Sequence, residues 1–233
     1  MAAPCVLFLP GLLEDADAFY DQVAHIQPFR PCLVADLTRA DTIAELAKDA
    51  LKQVEEGAFA LVGHSMGGYV ALEILRQAPQ RVERLALLNT NARPDTPEST
   101  ENRKRLMSLA EKDFPAVIQA LLPKLLTRKH VAEVEMTGTI AEMALAIGKD
   151  AFARQQRAII GRIDSRPHLG AIRCPAMVVA GREDAIMPME VSEELAKGIP
   201  GAKLAVIEES AHLPTIEKPA EMTKLLMQWL EVA

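Results

Sequence analysis

Residues 61–68 read Leu61-Val62-Gly63-His64-Ser65-Met66-Gly67-Gly68, and the fold turns on what surrounds this stretch. Upstream, Phe59 to Val62 is a short apolar run of the kind that forms a buried strand. Downstream, Met66 to Ala78 is mostly apolar over a length suited to a heavily buried helix. Strand, Gly-x-Ser-x-Gly, helix is the context in which a sharp, strained turn lifts a serine hydroxyl off a sheet edge. Gly63 and Gly67 leave room for neighbouring backbone, and the start of the helix offers free N–H groups and the positive end of its dipole. Outside that context the same five residues are an ordinary glycine-rich turn. Within it, Ser65 is the candidate nucleophile.

Working outward, short apolar runs alternate with longer amphipathic segments. Strands are expected at Cys5–Leu9, Cys32–Ala35, Phe59–Val62, Leu85–Leu88, Ala176–Ala180 and Leu204–Ile207. Helices are expected over 17–26, from Thr42 with Glu45 spaced as a capping box, over 66–78, over 189–197 behind Pro188, and at the Met222, Leu225, Leu226, Trp229, Leu230 stripe. Between about Ala92 and Arg166 no strand is legible, only Leu-, Met-, Lys- and Arg-rich helical stretches. Alternation of this kind predicts an α/β fold, a mainly parallel sheet of about six strands flanked by helices, carrying a helical cap insertion. The expected division is core over 1–91, cap over 92–166 and core over 167–233.

Composition narrows the function classes. With 26 Lys and Arg against 32 Asp and Glu the formal charge is −6, and only 4% of residues are aromatic, which argues against nucleic-acid binding by charge or by stacking. The apolar run at 6–13 lacks a preceding Lys or Arg, is broken by Pro10-Gly11 and is followed by Glu14, Asp15 and Asp17, so it does not read as a secretory signal. Cys5, Cys32 and Cys174 are far apart and odd in number, giving neither a disulfide framework nor a zinc site. The expectation is a cytoplasmic protein without metal or cofactor, a monomer or homodimer. Its partner is a small-molecule substrate, with no nucleic acid or membrane.

A serine hydroxyl needs a base. Of His25, His64, His130, His168 and His212, the last follows the final strand, at the carboxyl edge that also carries Ser65. His64 adjoins the serine but reads as packing or hydrogen bonding beside the turn. The acid should precede the base at another strand end. Asp184, in the Gly181–Met187 loop, is chosen over its neighbour Glu183, and the loop at Asn89-Thr90-Asn91 offers no carboxylate. For an oxyanion, the donors are the N–H of Met66 and, from the loop Leu9-Pro10-Gly11-Leu12-Leu13, the N–H of Leu12. Leu13 and Met187 are candidate substrate contacts. So is Arg157, from a basic group with Arg154, Arg162 and Arg166 that otherwise reads as a solvated helix face.

The segments LFLPGLL (7–13), LVGHSMGGYVALEIL (61–75), VVAGREDAIMP (178–188) and SAHLPTIEKP (210–219), in this order, resemble the α/β-hydrolase superfamily. The resemblance implies a serine hydrolase core with a helical cap, as in small esterases, lactonases and carbon–carbon bond hydrolases. Pro10 stands where many relatives have histidine, and Ala35-Asp36-Leu37-Thr38-Arg39 where many have a glycine-rich loop. The usual opening hairpin is expected to be absent. The expected reaction is hydrolysis of a small carboxylic ester. The alternatives are a lactonase, thioesterase or carbon–carbon bond hydrolase on the same triad, a lyase, or a ligand receptor with little turnover.

Overall fold

The computed structural model describes residues 4–232. Six strands form one sheet: β1 (Cys5–Leu9), β2 (Cys32–Val34), β3 (Phe59–His64), β4 (Val82–Leu88), β5 (Ala176–Gly181) and β6 (Lys203–Ile207). Their order across the sheet is β2, β1, β3, β4, β5, β6, and every neighbouring pair is parallel. The central strands show why their sequences are almost wholly apolar. Leu7, Leu9, Phe59, Leu61, Leu85, Leu87 and Val178 pack on one face. Their alternates Val6, Phe8, Ala60, Val62, Ala86, Leu88 and Val179 pack on the other. Both faces are covered by helices, so the usual in–out alternation becomes apolar on both sides.

The first face is covered by α2 (Ile43–Gln53), α3 (Met66–Gln77) and α8 (Met189–Gly198), the second by α1 (Tyr20–Ile26) and α10 (Pro219–Leu230). Thr42 caps α2, its Oγ accepting the Glu45 N–H at 3.2 Å, as the spacing predicts. The helix expected over 17–26 is broken: a 3₁₀ turn at Ala16–Phe19, with Asp15 accepting the Asp17 N–H, precedes α1. The second strand stops at Val34, one residue short of expectation, whereas β3 runs on to His64, so it delivers Ser65 with no intervening loop.

Between β4 and β5 the chain forms α4 (Pro97–Ala110), α5 (Phe114–Leu125), α6 (Val134–Ile160) and α7 (Arg166–Leu169). The first three of these helices sit on the loops that leave the carboxyl edge of the sheet, while α7 packs its Leu169 into the core beside α8. Ala110, Val117, Ile118, Ala144 and Phe152 cluster on Leu13 after β1, and Leu122, Leu126 and Ile140 cluster on Leu213 after β6. The 27-residue α6 bends at Gly148, whose φ of 81° is a left-handed value that a side chain would resist. Among the described residues, no helix is long and apolar enough to cross a membrane.

The tightest constraint lies where β3 enters α3. A Cβ at Gly67 would run into the Leu9 carbonyl, and one at Gly63 would meet the Gly67 carbonyl. Gly138, within α6, has open space around it. Gly67→Ala is therefore expected to lower the thermal midpoint by several degrees, from overpacking worth about 1–3 kcal/mol. Gly138→Ala should raise it slightly by relieving glycine's helix penalty of about 0.5–1 kcal/mol. Melting curves of the two variants giving the reverse order would refute the packing account.

Candidate active site

Ser65 occupies the junction of β3 and α3 with φ 49° and ψ −113°, a strained backbone for a residue with a side chain. The strain is sustained by its surroundings. Its N–H donates to the Leu88 carbonyl at 3.0 Å and its carbonyl accepts the Thr90 hydroxyl at 2.7 Å, both from the adjacent strand β4 and its exit. The structure brings Ser65, Asp184 and His212 together from three separate strand ends. His212 Nε2 lies 2.9 Å from Ser65 Oγ, and His212 Nδ1 lies 2.8 Å from Asp184 Oδ2. An ionised carboxylate only accepts, so Nδ1 carries the ring proton and Nε2 is left to accept from the serine. Asp184 and His212 are buried, while Ser65 opens onto a cavity of about 700 Å³.

Burial works to raise the Asp184 carboxyl pKa. It is outweighed by the charge and hydrogen bond of His212, by Asn89 and by the Met187 N–H, which together hold the carboxyl below its ordinary value. Asp184 Oδ1 accepts the N–H groups of Ile186 and Met187 at 2.8 and 2.9 Å, and Oδ2 accepts Asn89 Nδ2 at 2.8 Å. Asn89 also donates to the Ala211 carbonyl at 3.0 Å. Sequence reasoning passed over Asn89 as a missing carboxylate. Here it is the residue that holds the acid and the loop before His212 in register.

The loop after β1 is held from both sides. The Gly11 N–H donates to Glu14 at 2.7 Å and the Leu13 N–H to Gln155 of α6 at 3.1 Å, with Leu13 itself at φ 62°. The N–H of Leu12, between them, makes no hydrogen bond to any described residue. Leu12 and Ser65 line the same cavity. Leu13 and Met187 line that cavity as well. Arg157 does not: it is half exposed and pairs with Asp41 at 3.2 Å. The arginines that reach the cavity are others, Arg103 and Arg162 among them.

Two buried carboxylates that the sequence reading left out tie these loops together. Glu217 accepts the Thr127 N–H and His130 Nδ1 on one oxygen, and the Ser210 hydroxyl and Ala211 N–H on the other, at 2.7–3.1 Å. It thus fastens the His212 loop to the helical block, and the His212 N–H adds a bond to the Leu125 carbonyl at 3.0 Å. Glu14 accepts from His64 Nδ1 at 2.8 Å, while His64 Nε2 lies 2.7 Å from the His212 carbonyl. The His212 carbonyl accepts, and so does Glu14 when ionised; a neutral imidazole has one N–H, so an ionised Glu14 requires the ring to be an imidazolium. Burial opposes that charge. The Glu14 carboxylate, the bonds to Glu14 and to the His212 carbonyl, and Asp184 outweigh it and raise the His64 pKa. In the sequence the signal lay with His64, a polar residue inside an apolar segment; Glu14 stands among Asp15 and Asp17 and is not marked out from them.

Among the described residues no group of three His, Cys, Asp or Glu side chains is placed to hold a metal ion. What the site presents is a serine hydroxyl hydrogen-bonded to an imidazole, a buried carboxylate that orients that imidazole, and, on the loop after β1, a backbone N–H with no hydrogen-bond partner among the described residues. Such a set can attack a carbonyl and hold the resulting oxyanion.

The profile of the family described as alpha/beta hydrolase fold matches residues 27–219. A thermophilic esterase from Thermogutta terrifontis, solved with malate bound, is 30% identical with a TM-score of 0.91, covering 99% of this chain and 90% of that one. An enol-lactonase from Burkholderia xenovorans LB400 is 26% identical with a TM-score of 0.90, covering 99% and 92%. A putative carbamate hydrolase, RutD, of Azorhizobium caulinodans is 27% identical over 195 residues, 80% of this chain and 72% of that protein.

His64 supplies the pH test of this site. Its pKa is raised on folding, so its contribution to stability is complete below the unfolded value of about 6.5 and is lost as pH rises through the higher folded value. Removing one member of a buried pair costs about 3–5 kcal/mol. The thermal midpoint of His64→Asn should lie well below that of the unaltered protein at pH 6, and the gap should narrow toward pH 9. A gap independent of pH would show that His64 is neutral.

Proposed function

The chain belongs to the α/β hydrolase fold family, and from that membership we propose that it is a serine hydrolase cleaving a small carboxylic ester through an acyl-enzyme on Ser65. The observation that carries the proposal is the unbroken relay from Asp184 through His212 to Ser65, at 2.8 and 2.9 Å. His212 Nε2 takes the serine proton as Oγ bonds to the acyl carbon. Asp184 stabilises the imidazolium that results. The carbonyl electron pair moves onto oxygen, which the N–H groups of Met66 and Leu12 hold. The tetrahedral species collapses, the C–O bond to the alcohol breaks, and the alcohol departs with the proton from His212. Water then repeats the sequence against the acyl-enzyme, releasing the acid and restoring Ser65.

A lactone is the second reading, favoured by the 26% identical enol-lactonase. A lactone is an internal ester, so the same steps apply and the leaving alcohol stays attached to the product. The substrate is a small molecule, and the setting is the cytoplasm. Cys5, Cys32 and Cys174 are free thiols, which suits a reducing compartment.

Hydrolysis of 4-nitrophenyl esters and labelling by a fluorophosphonate test the proposal together. The unaltered protein should turn over the ester and take up one phosphonyl group on Ser65, located by mass spectrometry. Ser65→Ala should abolish labelling and lower kcat by about 10⁴-fold or more. Retained turnover in Ser65→Ala, or labelling of another residue, would overturn the assignment.

A further inference from the structure

The cavity that opens on Ser65 has a second polar wall that the hydrolytic steps do not use. It is formed by Tyr69, Asp95, Arg103, Gln156 and Arg162. Asp95 is nearly sealed from water, its side chain 2% exposed. Arg162 Nη1 binds it at 2.8 Å and Arg103 Nε at 3.3 Å, with the Thr100 hydroxyl at 2.8 Å. Burial works to raise the Asp95 carboxyl pKa, but the bond from Arg162, the charge of Arg103 and the Thr100 hydroxyl hold it below its ordinary value. One carboxylate therefore faces two guanidiniums whose side chains are only 8% and 20% exposed. The remaining acids of the lining do not redress this: Glu14 is paired with His64, and Glu98 is exposed. Arg105 and Lys124, also in the lining, are exposed like Glu98, so the balance rests on Arg103, Arg162 and Asp95.

Several donors on this wall are left over. Arg162 spends Nε on the Arg93 carbonyl and Nη1 on Asp95 and the Ile159 carbonyl. Arg103 spends Nε on Asp95 and Nη1 on Gln156 Oε1 at 2.9 Å. The Nη2 group of each has no partner among the described residues. The Arg162 guanidinium carbon lies over the Tyr69 ring, 4.5 Å from its centroid, a cation–π contact that helps hold the side chain on this wall. Gln156 is fully buried. Because its oxygen accepts from Arg103, its other terminus must be the amide nitrogen, and Nε2 has no hydrogen-bond partner. A buried donor left unpaired beside an uncompensated positive charge is unfavourable unless an acceptor of negative charge fills the place.

We infer that this wall is a binding site for a carboxylate, and that the ester or lactone cleaved at Ser65 bears a short acidic arm held by Arg103, Arg162 and Gln156. The second half of the inference rests on the proposed hydrolase reading; the first does not. Excess charge from two guanidiniums and one carboxylate matches a monoanion. The two oxygens of a carboxylate offer enough lone pairs for forked guanidinium donors and an amide N–H together. Ser65, Arg103 and Arg162 line one cavity, so the acid and the acyl carbon are joined by a chain held within it, as in a half-ester of a small dicarboxylic acid.

Calorimetric titration with glutarate, its uncharged diamide and inorganic phosphate tests the site without turnover. Kinetics on 4-nitrophenyl hemiglutarate and 4-nitrophenyl pentanoate test its use. Glutarate should bind and compete with ester hydrolysis, the diamide and phosphate at least tenfold more weakly. The unaltered protein should favour hemiglutarate by tenfold or more in kcat/KM. Arg103→Gln should lower both glutarate affinity and that preference by tenfold. Gln156→Glu, which sets a negative charge where Nε2 lies, should do the same, with melting curves establishing that each variant is folded. Equal binding of glutarate and diamide, tighter binding of phosphate, or an unchanged preference in both folded variants would overturn the inference. Glutarate binding that needs Arg103 in a protein that hydrolyses no ester would instead sink the hydrolase reading and leave the carboxylate site standing.

Discussion

At Gly67 the first turn of α3 lies against the carbonyl of Leu9, with no room between them for a methyl group. That approach is what brings the exit of β1, the exit of β3 and the start of a helix into one place. Ser65 is forced to a left-handed φ by it, and the carbonyl of Ser65 is pinned by Thr90 from the next strand. A looser junction would let the serine relax to an ordinary backbone and carry its hydroxyl away from His212. The rest of the site is an arrangement of loops around this fixed point, each held by side chains from elsewhere in the chain.

Those loops are held mainly by buried carboxylates. Glu14 answers the charge of His64, while Asp184 answers the charge that His212 acquires if it takes a proton from Ser65. The two imidazole rings lie 5.1 Å apart. Two cationic rings at that separation repel, so each needs its own acid, and the structure supplies one to each. The pairing also divides labour: His64, through its bond to the His212 carbonyl, sets where His212 stands, and Asp184 sets how its ring is turned.

Much of this was legible in the sequence. Apolar runs of four or five residues between amphipathic stretches carried the six-stranded parallel sheet, since a strand buried on both faces needs no other signal. Ser65, Asp184 and His212 could be singled out because each falls at the carboxyl end of such a run, and the structure sets them in hydrogen-bonded contact. Glu14, Asn89, Gln155 and Glu217 could not. Their partners lie far off in the chain, and a polar residue in a loop carries no mark of which distant group it will meet. The arginines make the same point from the other side. Arg157 and Arg162 differ little as letters. Arg157 projects from α6 to Asp41 at the surface, whereas Arg162, just beyond the helix end, folds back onto Tyr69 and Asp95.

Glu217 closes the His212 loop onto Thr127 and His130. Chains are made from the amino terminus, and domains fold as their parts emerge. The strands β1 to β4 and the turn at Ser65 are complete long before residue 184, 212 or 217 has been joined. A chain made only as far as β4 therefore has the turn at Ser65 without Asp184 or His212, and none of the Glu217 bonds that hold the helical block. On the reading proposed above, a nascent chain carries Ser65 with no partner to take its proton until residues 184 and 212 have emerged.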